Sequence, residues 1–393
     1  MRTAFRILSL VLMPVLALLV LGPAQAHATV DPASLDGGVM LLPGMMLIGN
    51  TIDIYSTQSL LGVVQNLKRK INGFAKAFFG TVVTSETEVV SFDIDEGKRY
   101  LAPYVHPDVP AAVRGNKGRR TDTFTPAYLK EKEPIRPNAA LKRAAGESFN
   151  TPLTPQARVA AQAGMIMQDQ IDRIDRRIEQ MAVEAIVTGK IVVAGEGYPT
   201  QTLDFGRAAA LNRASNILTG TARWGQSAAK PLKDLRTWNR KMLKESGAVI
   251  IDVVLDADAA DAFLDDPTVE QKLDRLNVNI GVLELMQAQE EGLQLIGQIQ
   301  GMRIWQYVGY YTNDAGTELE LFSGGNVVCI GAIDGIQHFG AIQDHDALQA
   351  MPVFPKSWVE NDPSVRWIMS QSAPLPVPRR INATLVASVT TGT

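Results

Sequence analysis

Cysteine and histidine are scarce in this chain, which limits the chemistry open to it. Cys329 is the one cysteine among 393 residues, so no disulfide can form within the chain. It lies in the apolar run 327–330, where we expect it to pack as a small hydrophobic side chain. The four histidines, at positions 27, 106, 338 and 345, are scattered. The sequence therefore excludes an internal disulfide framework and offers no cysteine and histidine cluster for a metal.

An excess of positive charge is also missing. The formal net charge is −3 at pH 7, so no global basic field draws the protein onto DNA, which argues against a nucleic-acid reader. A container whose inner wall faces DNA is compatible with this charge. Hydrophobic residues make up 46% and charged residues 20%, as in an ordinary folded protein, and the length allows two or three lobes.

Recognisable catalytic motifs are absent from the sequence, which contains no GxSxG, HExxH, Walker or GxGxxG pattern. Asp344, His345 and Asp346 are adjacent, and adjacent side chains diverge, so we expect them to share no metal ion. The aspartates between 252 and 266 lack the calcium-loop pattern, which favours helix caps and a solvated face. We predict no catalytic residue, no cofactor and no metal site, and hence a protein that is not an enzyme.

The N-terminal segment has the pattern of a secretory signal. A basic start precedes an apolar stretch from Ile7 to Leu21, and residues 24–26 fit a cleavage site. The stretch is short for a transmembrane span, and Pro14 interrupts it. Two interpretations are open: the mature protein is exported, or translation starts downstream, at Met40, Met45 or Met46.

An extended, proline-rich segment follows from residue 81. Val90, Phe92 and Ile94 alternate with polar residues, which predicts a half-buried strand. A turn at Gly97 then predicts that residues 100–105 pair back with this strand as a hairpin. A long extended arm is unusual inside a single compact domain, so we expect it to find partners on another chain.

A basic cluster lies within this arm and consists of Arg114, Lys117, Arg119 and Arg120. These side chains could contact phosphate, form a solvated loop tip or make a charged contact with a neighbouring subunit. No aromatic residues alternate with the cations, which weakens the nucleic-acid interpretation. We take the four residues as candidate subunit contacts.

The clearest helix of the sequence spans residues 154–189. Thr154 suits the N-cap, Pro155 suits the first helical position, and Gly189 ends the helix. Apolar residues recur mostly at three- and four-residue steps, and opposite charges such as Asp169 and Arg173 lie four apart. The predicted helix is about 50 Å long. A single long helix beside an extended arm is typical of a scaffold element.

Strands and helices alternate from residue 206 to 350, which predicts one α/β lobe. Its predicted elements include a helix at 232–246 and a buried strand at 249–255. Trp224 and Trp238 lie among polar residues, where they could bind a ligand or pack in the core or against another subunit.

Segments in four parts of the chain together resemble lambda-type major capsid proteins of tailed bacteriophages, and their order and spacing agree from about residue 50 to the end. They are Phe124–Lys130, Ala182–Gly197, Gly331–Asp346 and a closing segment that includes Phe354–Val359, Asp362–Pro363 and Gln371–Leu375. The resemblance implies an α+β fold of the Hong Kong 97 type, with an N-terminal arm, an extended β-hairpin loop, a peripheral domain with a long spine helix, and an α/β axial domain.

The resemblance also implies how the chain divides. The expected parts are a leader and linker at 1–49, the arm at 50–80, the extended loop at 81–140, the peripheral domain at 141–205, the axial domain at 206–350 and a C-terminal return into the peripheral domain at 351–393. Because residues 1–49 have no counterpart in the family, we favour the downstream start.

The function implied by the resemblance is that of a major capsid protein, located in the virion after assembly in the host cytoplasm. Such a protein forms pentamers and hexamers of itself and encloses DNA without sequence-specific binding, and its mature form involves no membrane. Because no long helical N-terminal region could act as a built-in scaffold, separate scaffold and portal proteins and possibly a decoration protein are expected partners. The rival hypothesis is an exported periplasmic α/β binding protein or hydrolase.

Overall fold

The computed structural model describes residues 55–393 apart from the following positions: 68–72, 96–100, 103, 109, 111–118, 143–153, 196–197, 277–291, 314, 348–349 and 391–393. The predicted leader and linker at 1–49 lie outside the described residues, as do Arg114 and Lys117 of the basic cluster.

Helices and strands both contribute to the fold. The helices are α1 (Thr57–Asn66), α2 (Gly73–Phe78), α3 (Pro137–Leu141), α4 (Pro155–Thr188), α5 (Pro231–Glu245), α6 (Ala257–Leu264) and α7 (Pro267–Leu276). The strands are β1 (Thr81–Thr84), β2 (Val90–Asp95), β3 (Arg119–Phe124), β4 (Leu129–Ile135), β5 (Lys190–Gly195), β6 (Tyr198–Asp204), β7 (Asp252–Leu255), β8 (Leu293–Ile299), β9 (Met302–Tyr307), β10 (Tyr310–Thr312), β11 (Glu318–Glu320), β12 (Asn326–Ile330), β13 (Gly335–Phe339), β14 (Phe354–Glu360), β15 (Val365–Ser372), β16 (Pro374–Pro378) and β17 (Thr384–Ser388). Short 3₁₀ turns lie between Ala209 and Ala222 and at Ile381–Ala383.

Helix α4 confirms the predicted long helix, including both of its ends. The Thr154 side chain accepts a hydrogen bond from the backbone N–H of Ala157, and Pro155 occupies the first turn. Gly189 ends the helix with φ 74°, a left-handed conformation that glycine adopts without steric cost. With 34 residues the helix is about 50 Å long at 1.5 Å per residue. We call α4 the spine helix.

The lobe is built on a five-stranded sheet in the order β17-β12-β7-β9-β8. Its strands β7 and β12 are buried along their whole length, as expected for a sheet covered on both faces. The predicted strand at 249–255 is shorter in the structure, where the strand is Asp252–Leu255 and Val249 and Ile251 are exposed. Helices α5, α6 and α7 each contact strands of this sheet.

The C-terminal residues connect the lobe to the spine helix. Strands β14 and β15 form a three-stranded sheet with β4, and β16 pairs with β13. Ile368 of β15 is fully buried, and its backbone carbonyl accepts a hydrogen bond from the Gln170 side chain of the spine helix. The last strand corrects one expectation: residues 351–393 do not all return to the peripheral domain, because β17 pairs with β12 inside the lobe sheet.

The hairpin of the extended arm also differs from the prediction. Strand β2 pairs with β3, where Val90 lies opposite Phe124 and Asp95 opposite Arg119, and not with residues 100–105. Prolines at 103, 107 and 110 lack the N–H that a strand donates, and Leu101 and Tyr104 are almost fully exposed. The chain therefore continues past residues 100–105 before it pairs back with β2.

Candidate functional site

The described residues contain no group of three or more histidine, cysteine, aspartate or glutamate side chains that could hold a metal ion. The aspartates near the lobe sheet accept hydrogen bonds from other protein groups instead. Asp256 accepts hydrogen bonds from the backbone N–H groups of Ala259 and Asn326, both at 2.8 Å, and so caps α6. Asp252 accepts from the Arg303 guanidinium at 2.7 and 2.8 Å, which links the parallel strands β7 and β9.

Two of the three adjacent residues that we expected to diverge do meet at one cation. The Lys356 ammonium lies 2.8 Å from a carboxylate oxygen of Asp344 and 2.7 Å from one of Asp346, while His345 is exposed. Burial alone would raise the pKa of Asp344, but hydrogen bonds from Lys356, from the backbone of Asp346 and from Gln371 outweigh it and lower that pKa to about 2. The Lys356 side chain therefore binds the two carboxylates that were considered as metal ligands. This contact connects their loop to β14.

The two tryptophans flagged in the sequence lie in the core of the lobe. Trp224 is 2% exposed, and its ring packs against Trp238 of α5 and Phe263 of α6. The Trp224 indole N–H donates to Asp234 at 3.1 Å. Cys329 is fully buried in β12, and burial raises the pKa of its thiol well above the usual range. The core interpretation of these residues is confirmed.

A buried carboxylate joins three parts of the chain that are distant in sequence. Glu179 of the spine helix is 5% exposed and accepts hydrogen bonds from the backbone N–H groups of Phe74 at 2.8 Å and Ala75 at 2.7 Å. It also accepts from the hydroxyl of Tyr307 in β9 at 2.9 Å. Burial and the neighbouring Glu179 raise the pKa of the Tyr307 hydroxyl. We call Phe74, Ala75, Glu179 and Tyr307 the Glu179 junction, which attaches the N-terminal arm and the lobe to the spine helix.

A buried cation stabilises the C-terminal end of the spine helix. The Arg207 guanidinium donates to the backbone carbonyls of Ile186 and Val187, which the helix leaves without an internal partner. Burial lowers the pKa of Arg207 to about 10, partly offset by the nearby Asp204, so the group stays charged at neutral pH. The spine helix is thus held in its C-terminal third by the Glu179 junction and at its end by Arg207.

Sequence reasoning missed both of these groups. The opposite charges along the helix, such as Asp169 and Arg173, did not single out Glu179. A signal was present, because Glu179 lies on the apolar stripe that contains Ile171, Ile178 and Ala182, all of which are buried. A charged residue on such a stripe needs a buried partner. Its partners could not be read from local sequence, since they lie more than a hundred residues away.

The basic cluster is described only in part. Arg119 and Arg120 form the first two positions of β3, and their backbones pair with Asp95 and Ile94 of β2. The structure thus places these two residues at the far end of the hairpin, away from its junction with β4. Their role as subunit contacts stays a prediction.

The spine helix shares one hydrophobic core with the lobe, and the β2–β3 hairpin packs on the same helix. Comparison with known proteins identifies the class of protein that has this arrangement. The chain belongs to the family described as phage major capsid protein E, whose profile matches residues 56–389. It is 28% identical over 332 residues to the major capsid protein of Escherichia phage lambda, which covers 82% of this chain and 96% of that protein. It is 27% identical over 346 residues to a P21 prophage-derived major head protein of Escherichia coli O6:H1, with the same coverage.

Solved structures show the same fold. A prophage capsid protein of E. coli CFT073 superimposes with a TM-score of 0.67 at 22% identity, covering 85% of this chain and 98% of that chain. The chain is therefore a major capsid protein of a phage head shell, and the predicted capsid fold is confirmed. The rival exported protein is not favoured. Among the described residues, no helix combines the length and apolar character that a membrane span requires.

Proposed function

We propose that this chain associates with copies of itself into five- and six-membered rings, and that these rings close into an icosahedral head shell around the genome. The observation that carries the proposal is the exposure of large apolar side chains on the arm. Leu101 is 89% exposed and Tyr104 is fully exposed, although such residues are normally buried. Apolar side chains exposed on an extended segment are available for contact with another chain.

The finer parts of the proposal follow from the same architecture. Ring contacts are heterologous, so one surface must fit a different surface on the next copy, and the arm and the lobe supply two such surfaces. The shell encloses DNA without reading its sequence and has no catalytic role of its own. It assembles in the host cytoplasm with a separate scaffold protein, a portal protein and possibly a decoration protein.

The proposal is tested by producing the full chain together with its scaffold protein. We expect sedimentation to show large particles and negative-stain microscopy to show closed shells. Circular dichroism of the unassembled chain provides the control for folding. A chain that is folded but stays monomeric under these conditions would contradict the proposed function.

The basic cluster gives a more specific prediction. Exchange of Arg114, Lys117, Arg119 and Arg120 for glutamine should reduce the yield of shells by about tenfold or more, because a charged contact with the neighbouring subunit is lost. The melting temperature of the unassembled chain should change little, because the proposed contact exists only between subunits. Particle yield from sedimentation and the thermal melt together check this.

A charge-preserving variant is the matched control for this experiment. Arg114→Lys, Lys117→Arg, Arg119→Lys and Arg120→Lys keep every positive charge and should still assemble. Normal shells from the glutamine variant would instead favour a solvated loop tip that contacts no neighbouring subunit.

A further inference from the structure

One face of α5 carries a continuous row of exposed positive side chains. Their spacing of three, four and four residues keeps them within one side of the helix. We call these residues the basic row: Lys233, Arg236, Arg240 and Lys244. The opposite side of α5 is the core face, with Leu232, Leu235, Trp238 and Met242 buried.

No ion pair in the described part of the chain involves a member of the basic row. Arg236 and Arg240 donate through Nε to backbone carbonyls one turn earlier, at 3.0 and 3.4 Å. Asp234 is next to Lys233 in sequence, but its carboxylate accepts a hydrogen bond from the buried Trp224 indole. Like charges three or four residues apart destabilise a helix. The protein nevertheless concentrates positive charge on one face of α5, although its net charge is −3.

A complementary row lies on α6 and on the residue that caps its C-terminal end. Asp258, Asp261 and Asp265 are exposed, and they follow one another at three and then four residues. This acidic row has the same spacing as the first three members of the basic row, so each spans about 10 Å along its helix. The core face of α6 is formed by Ala259, Ala260 and Phe263. Among the described residues, no ion pair involves the acidic row either.

The two rows lie on two neighbouring helices of the lobe. Helix α5 contacts the edge strand β17, while α6 contacts the central strand β7 and its neighbour β9, and Trp224 packs between the two helices. A ring of identical chains needs two different surfaces that fit each other. From the matched spacing and opposite charge, we propose that the basic row of one copy docks on the acidic row of the next copy. This inference rests on the proposed ring assembly.

A second copy fits these observations better than DNA does. DNA would use the basic row alone and would be repelled by the acidic row, whereas a second copy uses both. Exposed ion pairs are individually weak, so this contact selects the neighbour and speeds its docking more than it holds the ring together. Assembly should accordingly slow as the salt concentration rises.

Charge reversal on each row tests the contact. The first variant carries Lys233→Glu, Arg236→Glu and Arg240→Glu, and the second carries Asp258→Lys, Asp261→Lys and Asp265→Lys. Each variant places like charges at the contact, so we expect at least about tenfold fewer shells from each. All six positions are exposed and α6 keeps its Asp256 cap, and circular dichroism checks that both variants fold.

The decisive sample combines both reversals in one chain. Opposite charges then face each other again, so shell yield should return to within about threefold of the wild-type value, because additivity fails only for residues that interact. An equal mixture of the two single-row variants should form six-membered rings but not five-membered rings, since variants can alternate only around an even ring.

Three outcomes distinguish docking between copies from binding of DNA or of the scaffold protein. If the wild-type chain assembles but the combined variant does not recover, the contact is wrong and the basic row serves DNA or the scaffold protein. If both single-row variants assemble normally, the contact is also wrong. A wild-type chain that never forms rings contradicts the proposed function itself, and this contact with it.

Discussion

Replacement of Ile174 by proline should abolish shell assembly. Ile174 is 2% exposed and lies near the middle of the spine helix. Proline there removes a backbone hydrogen bond and clashes with the carbonyl of Gln170, at a cost of about 3 kcal/mol or more. The resulting kink would also displace the Gln170 side chain, which donates to Ile368 and accepts from Ser370. Sedimentation and negative-stain microscopy would show whether particles form.

A conservative substitution at the same position isolates the effect of the backbone. Ile174→Val removes one methylene group and costs about 0.5–1.5 kcal/mol, but it leaves the helix intact. We expect this variant to assemble. Normal particles from Ile174→Pro would show that the shell does not require a continuous spine helix between Thr154 and Gly189.

The spine helix could be predicted from sequence because its determinants are local. The cap at Thr154, the proline at 155 and the glycine at 189 act on neighbouring backbone groups, and the structure has all three in those roles. The predicted helix at 232–246 corresponds to α5, which begins at Pro231, a residue that suits the first turn of a helix.

Strand partners were predicted less well because pairing is not local. The alternation of residues 90–94 correctly indicates a strand, but its partner β3 begins 24 residues after β2 ends, beyond the nearer segment that the turn at Gly97 suggested. The position of β17 in the lobe sheet depends on β12, which is more than fifty residues earlier. No local preference of either segment contains this information.

In the candidate sites, too, residues that are close in sequence could be identified, whereas their distant partners could not. Asp344 and Asp346 are close in sequence, but the cation that they share comes from Lys356 on another strand. The basic cluster could be found by composition alone, whereas its partner surface cannot be read from the cluster. Assembly was indicated by the long extended arm and by the resemblance of separate segments to capsid proteins.

Replacement of Glu179 by alanine should be the most damaging single change to a side chain in the spine helix. It would leave two backbone N–H groups and the Tyr307 hydroxyl buried without their acceptor. Each unsatisfied buried group costs about 1–3 kcal/mol, so we expect a loss of roughly 3–5 kcal/mol in the free energy of unfolding. Denaturant unfolding of the unassembled chain, followed by circular dichroism, measures this loss.

Tyr307→Phe is the matched control, because it removes one hydrogen bond from the junction and leaves the carboxylate paired with Phe74 and Ala75. It should cost only about 1 kcal/mol. In the Tyr307→Phe background the further loss from Glu179→Ala should be smaller, because the two residues share one interaction.

The location of the damage distinguishes a junction from an ordinary core residue. Because Glu179 holds the first backbone groups of α2, its loss should release the N-terminal arm before the lobe unfolds. Limited proteolysis of Glu179→Ala should therefore cleave the chain between residues 55 and 80 sooner than in the wild type, while Tyr307→Phe should leave that segment protected. Equal protection of the arm in all three proteins, together with equal free energies of unfolding, would mean that the carboxylate does not link the arm to the spine helix. Since the arm, the spine helix and the lobe meet at this group, a released arm should also lower the yield of shells.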